Sequence, residues 1–264
     1  ILLPHTTECI IYLLALASPV QDFTTALAEL PEEQRPVLTT EAVRWIFPPT
    51  AFSVHELTTT HWDITACFKA PGPFSIHPNL SKLIKSSWSI SFAVPSALLA
   101  SLATTQSELA ASNWPRSREL DLLTDSDLRK SDTISSVDSA EVTSGLKTWM
   151  ESFSKDQEEK QHSQDIIMFN LLAFKDMAKY RKYQDAFVAG VGVRHGVRPL
   201  LYGEVINSSL QNQGKSPWEM VALVYYPSPL HFGDMLSSPD YKEISHKYRD
   251  GSLVDNPILC LSNI

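Results

Sequence analysis

The sequence predicts an α+β fold: two tandem ferredoxin-like β-α-β-β-α-β repeats packed sheet to sheet as a pseudo-dimeric α+β barrel. Three observations lead there. Residues 165–174, Asp-Ile-Ile-Met-Phe-Asn-Leu-Leu-Ala-Phe, form an apolar run of strand length, closed by Lys175-Asp176 and carrying one amide, Asn170. The two halves echo each other. Ser91-Phe92-Ala93-Val94-Pro95-Ser96, followed by Leu98 and Leu99, matches Leu223-Val224-Tyr225-Tyr226-Pro227-Ser228 with Leu230, and Ile10–Leu16 matches Ile166–Leu172. Each copy reads β-α-β-β-α-β, an order that makes a four-stranded antiparallel sheet with both helices on one face. The other face must be covered, and two copies in one chain can cover each other. The expected divisions are a divergent repeat over 1–125, a linker and bridging helix over 126–160, and a second repeat over 161–264.

The elements follow in order. Cys9–Ala17 reads as a strand, and Ser18-Pro19 opens a helix with serine as cap and proline in the first turn. Val20, Phe23, Leu27 and Leu30 give that helix an apolar face. Residues 31–50 are irregular, with a short helix expected at Thr40–Ile46. Phe52–Thr58 and His61–Lys69 are strand candidates, and Pro71-Gly72-Pro73 ends the second. Trp88–Val94 is a strand, Ala97–Ala111 a helix, and Glu119–Thr124 a strand. Asp125–Ser139 is rich in Ser, Asp and Thr and reads as a protease-sensitive linker. Val142, Leu146, Met150 and Phe153 recur at helical spacing and predict an amphipathic helix bridging the halves. Beyond the strand at 165–174 come a helix from Asp176 to about Val188, a turn holding Gly190, Gly192 and Gly196, and a strand at Pro199–Asn207. A polar loop over Ser208–Pro217 leads to a strand at Trp218–Tyr226, a helical region at His231–Tyr248 broken near Ser238-Pro239, and a last strand at Pro257–Leu261.

Composition narrows the function. A net charge of −8 argues against non-specific nucleic-acid binding, which needs a basic face. No run reaches the roughly 20 apolar residues of a membrane span. Residues 10–20 resemble a signal-peptide core, but Glu8 stands where a basic residue is expected, so a buried strand is the better reading. Cys9, Cys67 and Cys260 are far apart and each lies in an apolar segment. They read as buried reduced thiols, which suits the cytoplasm. With 6 Trp, 8 Tyr and 11 Phe the chain can form an aromatic-lined pocket.

Asn170 shares strand parity with Met168, Leu172 and Phe174. A primary amide on a core-facing position either braces the core or points into a cavity. Leu200, Tyr202 and Glu204 share a strand face, and Tyr226 shares one with Trp218, Met220, Ala222 and Val224. Arg194-His195 sits in the glycine-punctuated loop, where a histidine can serve proton transfer or simply lie at the surface. Tyr241, His246 and Arg249 lie on the last helical stretch. In the first half His55, Glu56, His61 and Asp63 cluster, with His61 and Asp63 in parity. Their spacing matches no strong zinc pattern, and no nucleotide-binding or hydrolase motif is present.

The second half resembles the DUF1330-type branch of the dimeric α+β barrel superfamily. The residues that carry the resemblance are Met168-Phe169-Asn170-Leu171-Leu172-Ala173-Phe174-Lys175, Tyr180, Tyr183 and Leu201-Tyr202-Gly203-Glu204-Val205. Tyr225-Tyr226-Pro227-Ser228 with Phe232, and Ser238-Pro239-Asp240-Tyr241 with Arg249, complete it. The first half departs, with Tyr12-Leu13-Leu14 at the Asn motif and Asn113-Trp114-Pro115 after its second helix. The resemblance implies a pocket between sheet and helices, with the first half replacing a second subunit, hence a monomer or weak homodimer. It implies a cofactor-independent enzyme of the isomerase, cyclase or proton-transfer kind acting on an apolar oxygenated, secondary-metabolite-like molecule. Asn170 and Tyr202 would hold a carbonyl oxygen, His195 would be the base, and Arg249 would offset charge. Glu204, Tyr226, Tyr241, Phe232 and Met168 would contact substrate, with no metal or cofactor. The alternatives are a non-catalytic binding or stress-associated protein, and an oxidoreductase of the same fold, cofactor-free or with a haem or flavin beside His195 or His61.

Overall fold

A computed structural model describes residues 5–52, 55–70, 78–112, 114, 142–209 and 216–264. The described elements run, in order, β1 (Thr6–Leu16), α1 (Val20–Ala28), β2 (Leu38–Phe47), α2 (His55–Thr59), β3 (Ile64–Lys69), α3 (Pro78–Ser81), β4 (Ile84–Pro95) and α4 (Ser96–Ala110). They continue with α5 (Ser144–Glu159), β5 (Ile166–Phe174), α6 (Met177–Ala186), a π-helical turn at Phe187–Val191, α7 (Gly192–Arg194), β6 (Arg198–Ser208) and β7 (Met220–Tyr226). Then come α8 (Pro229–Ser237), α9 (Pro239–Ile244), a second π-helical turn at Ser245–Arg249, β8 (Leu253–Asp255) and β9 (Ile258–Asn263).

Eight strands join edge to edge in the order β7-β6-β4-β1-β3-β2-β9-β5, and β5 pairs back onto β7. The result is a closed antiparallel barrel with helices outside it. This overturns the expectation of two ferredoxin-like repeats packed sheet to sheet, and with it the dimeric α+β barrel description. There are not two sheets facing each other. β4 hydrogen-bonds β6 through Ile90–Ala93, and β2 hydrogen-bonds β9 from Thr40 to Phe47. Both seams join the first half to the second and close the eight-strand ring, which satisfies backbone groups that separate sheets would expose. The repeat register is wrong too. Followed in one sense around the barrel from β1 and from β5, β7 corresponds to β3 and not to β4. The Pro95–Pro227 match therefore pairs strands in different places.

Side chains along β1 point alternately to its two faces, and since both faces are covered, Cys9 to Ala15 are buried without a break. Cys9, Ile11, Leu13 and Ala15 point into the barrel, where they meet Cys67, Ile90, Phe92, Phe169, Leu171, Leu223 and Leu261. Ile10, Tyr12 and Leu14 point outward and pack on Phe23 and Leu27 of α1. Along β5, Ile167, Phe169, Leu171 and Ala173 fill the interior, while Ile166, Met168 and Leu172 face α5, α6 and α8. Each such buried side chain contributes roughly 1.5–3 kcal/mol. All three cysteines are buried and free. The amphipathic helix expected from Val142, Leu146 and Met150 is α5, capped by Thr143, whose Oγ1 accepts from Leu146 N at 3.1 Å.

Several local expectations change. Thr40–Ile46 is strand, since β2 is held on both sides by β3 and β9. The strand expected at Phe52–Thr58 is replaced from His55 on by a helical turn, His55–Thr59, with the Thr58 and Thr59 hydroxyls donating to His55 O. Ser18 does not cap α1, whose N-cap is Pro19. Gly190 and Gly192 lie within helical turns, and Gly196 alone of the three takes a left-handed conformation, at φ +70°. The strand at 119–124, the linker at 125–139 and the Pro71-Gly72-Pro73 break lie outside the described residues.

Candidate functional site

A cavity of about 540 Å³ lies between the outer face of β5, β6 and β7 and the helix α6 with the π-turn that continues it. β5 contributes Asn170 and Leu172, β7 contributes Met220, Ala222, Val224 and Tyr226, and β6 contributes Pro199 and Tyr202. The period-two reading of β7 holds from Met220 to Tyr226; Trp218 instead belongs to the interior. From the helical side come Tyr180, Tyr183, Gln184, Asp185, Phe187, Val188 and Ala189. Tyr180, Tyr183 and Phe187 follow helical spacing, so the helix offers its aromatic face to the sheet. Their rings, with Phe174, form a tilted ladder with centroid separations of 5.1, 5.3 and 5.7 Å. Tyr241 packs edge-on against Tyr183 and Phe187. Phe232 packs edge-on against Tyr226. The π-turns at Phe187–Val191 and Ser245–Arg249 flank this ladder, and such turns recur at functional sites.

Tyr180, Tyr183 and Tyr226 are more than nine-tenths buried. Among the described residues, no hydrogen bond reaches any of their hydroxyls. Burial pushes the Tyr180 phenol up to about 12 against the pull of Arg249. Burial raises Tyr183 and Tyr226 as well. All three stay protonated at neutral pH, so each keeps an O–H able to donate.

Asn170 is half-buried at the cavity wall and well tethered. Its Nδ2 donates to Met168 O at 2.9 Å and to Ala222 O at 3.5 Å. Its Oδ1 accepts from Asn256 Nδ2 at 3.5 Å, and Asn256 Nδ2 also donates to Leu171 O at 3.2 Å. Asn256 Oδ1 in turn accepts from Arg249 Nη2 at 3.1 Å. Arg249 is buried and lies behind the cavity wall. Burial opposes its charge, but the Tyr241, Tyr183 and Tyr180 phenols raise its affinity for the proton, with Asp250 adding less. Asn170 both braces the strand and lines the cavity, so the two readings of its amide hold together.

The other expected site residues divide. Tyr202 and Tyr226 line the cavity with Asn170. Met168, Phe232 and Tyr241 are buried in the packing around it. Glu204 shares Tyr202's face but is exposed and outside the cavity lining. Leu200 leaves that face, because the β6–β7 register shifts between Pro199 and Leu201 and turns Leu200 to the interior. His195 is not a surface histidine and does not line the cavity. It is buried, with Nδ1 3.0 Å from Asp234 Oδ2 on α8. Beside it Arg194 pairs with Asp240. His61 Nε2 lies 3.4 Å from Asp63 Oδ1 as expected, but His61 is exposed and Asp63 Oδ2 already accepts from Leu16 N at 2.7 Å. Among the described residues no three His, Cys, Asp or Glu side chains come together as a metal site. No described helix is long and apolar enough to cross a membrane.

No family model and no curated protein matches this chain. Among solved structures, a Rhodopseudomonas palustris protein of unknown function is 20% identical, with 42% of this chain and 91% of that one aligned at a TM-score of 0.35. A candidate monooxygenase from Lactobacillus acidophilus aligns over 97% of this chain and 93% of its own, at 10% identity and a TM-score of 0.44.

Proposed function

We propose that the chain binds an apolar, carbonyl-bearing small molecule in the cavity between β5–β7 and α6, and that it catalyses proton transfer beside that carbonyl, as an isomerase or cyclase does. One observation supports this most: three buried tyrosines line the cavity, and no hydrogen bond among the described residues reaches their hydroxyls. A ligand oxygen can accept from such a hydroxyl, and a hydrogen bond made there contributes about 0.5–1.5 kcal/mol. Phenols kept protonated donate to a carbonyl oxygen and hold it more strongly as it gains negative charge, which favours enolate formation. Aromatic and aliphatic walls with a few converging polar groups are the usual form of a small-molecule site. The proton itself needs a carrier. His195 does not line the cavity, so the role passes to Asp185, the carboxylate among the described residues that does, and it is exposed.

A panel of cyclic ketones and enones, screened by thermal shift and followed in D2O by proton NMR, tests both halves of the reading. Wild-type protein should accelerate exchange of the hydrogens beside the carbonyl. Tyr226→Phe should weaken binding and slow exchange, whereas Asp185→Asn should bind the ketone and lose exchange. Binding without accelerated exchange would reduce the protein to a carrier. No binding to wild type, or equal binding by Tyr180→Phe, Tyr183→Phe and Tyr226→Phe, would remove the cavity from consideration.

A further inference from the structure

We infer that the cavity takes its ligand as an oxyanion, the enolate of a flat 1,3-dicarbonyl compound or a phenolate of similar shape, in preference to a neutral ketone. This rests on the reading of the cavity given above and concerns the class of molecule it selects. The first argument is the count of donors. Tyr180, Tyr183 and Tyr226 line the cavity, no hydrogen bond among the described residues reaches their hydroxyls, and the more exposed Tyr202 adds a fourth phenol. A monoketone brings one acceptor oxygen. A 1,3-dicarbonyl enolate brings two, with the charge shared between them, so it engages more of these donors.

The second argument is the placement of charge. A buried cation, Arg249, lies directly behind the aromatic ladder. It acts electrostatically on Tyr180 and Tyr183, and it is tied through Asn256 to Asn170 on the cavity wall. The carboxylate lining the cavity, Asp185, is solvent-exposed, where water screens it. The buried wall therefore holds the cation and the phenols, and the exposed carboxylate is the one in solvent. The third argument is shape. The tilted ladder of Phe174, Tyr180, Tyr183 and Phe187 presents ring faces and edges, which pack best on a planar conjugated body. Burial opposes any charge here, and it holds the wall phenols themselves protonated. A delocalised oxyanion suffers less of that penalty than a localised anion, and a charged acceptor gains more from Arg249 than a neutral carbonyl does.

The test uses the full chain and two probes of one shape. 2-Phenylindane-1,3-dione is an enolate in mildly alkaline buffer, and its methyl enol ether is neutral. Titration calorimetry should show the enolate binding at least about tenfold more tightly than the ether. Arg249→Met should bring that ratio close to one while leaving the ether's affinity unchanged, and Tyr180→Phe or Tyr183→Phe should weaken the enolate severalfold. Should Arg249→Met fail to fold, the wild-type ratio and the tyrosine variants decide. An ether that binds as tightly as the enolate overturns the inference. So does a protein that binds neither probe but binds the neutral ketones of the panel, which leaves the cavity reading standing. Failure of both probes and the panel overturns both.

Discussion

Replacing Gly203 by alanine should open the barrel. Gly203 sits on β6 where that strand crosses β4, and a Cβ placed there would lie 2.1 Å from Ala93 O, 2.6 Å from Ala93 C and 3.2 Å from Val94 N. These are backbone atoms, so no rotamer change relieves the clash. Restoring even 3.0 Å to the oxygen parts the strands by about 0.9 Å. The seam there is short, reaching from Ile90–Ser208 to Ala93–Glu204 and already irregular between Ser91 and Phe92. A shift of that size takes out about two ladder hydrogen bonds at ~1 kcal/mol each and loosens Phe92 and Val94, both fully buried, for a total of roughly 2–4 kcal/mol. For a chain of this length that lowers the melting temperature by roughly 5–15 °C. Gly190→Ala is the control. Its Cβ meets nothing within 4 Å, and alanine is the better helix former, so it should be neutral or stabilise by up to about 1 kcal/mol. Circular-dichroism melts of the two variants decide. A Gly203→Ala protein melting within about 2 °C of wild type would show that β4 and β6 do not approach as described.

Asn170→Leu loses one good hydrogen bond, to Met168 O, and two long ones, so it should cost about 1–2 kcal/mol and still fold, while ligand affinity falls; unchanged melting and unchanged affinity together would contradict its placement. Burial raises the Asp255 carboxyl above its ordinary value of 3.8, offset in part by Thr50. A raised folded-state pKa means the native state favours the proton, so stability falls as pH rises from below the ordinary value through the raised one. Asp255→Asn should therefore be the more stable protein at neutral pH, with the gain shrinking in acid, and melts across pH would expose the opposite trend. Light scattering at micromolar concentration should find a monomer, because the eight strands of the ring are each paired on both sides within the chain; an obligate dimer would count against this.

Period-two patterning makes much of the cavity's sheet wall readable. Asn170, Leu172, Met220, Ala222, Val224 and Tyr226 fall on one face because β5 and β7 are regular there. The same rule fails at Leu200, where the bulge after Pro199 reverses parity, a feature with no signature in the local residues. The helical wall is within reach of the sequence, since Tyr180, Tyr183 and Phe187 have the spacing of one helix face, but the same spacing describes a core stripe equally well. His195 is beyond local reading because its partner, Asp234, is 39 residues away. The largest difference, one barrel in place of two sheets, has the same origin. The seams β4–β6 and β2–β9 join residues far apart in the chain, and nothing local marks which edge will meet which.

The position of β9 has a consequence for how the protein is made. This strand, Ile258–Asn263, lies between β2 and β5 and is the piece that joins them. During synthesis β1 to β4 leave the ribosome with β2 and β4 as bare edges. The edge of β4 waits for β6, and that of β2 waits for β9, more than 200 residues behind it. The nascent first half is then a species for chaperones to shield. A chain cut back to end at Asn256, without β9, should accumulate in inclusion bodies, while one shortened to begin at His5 should not.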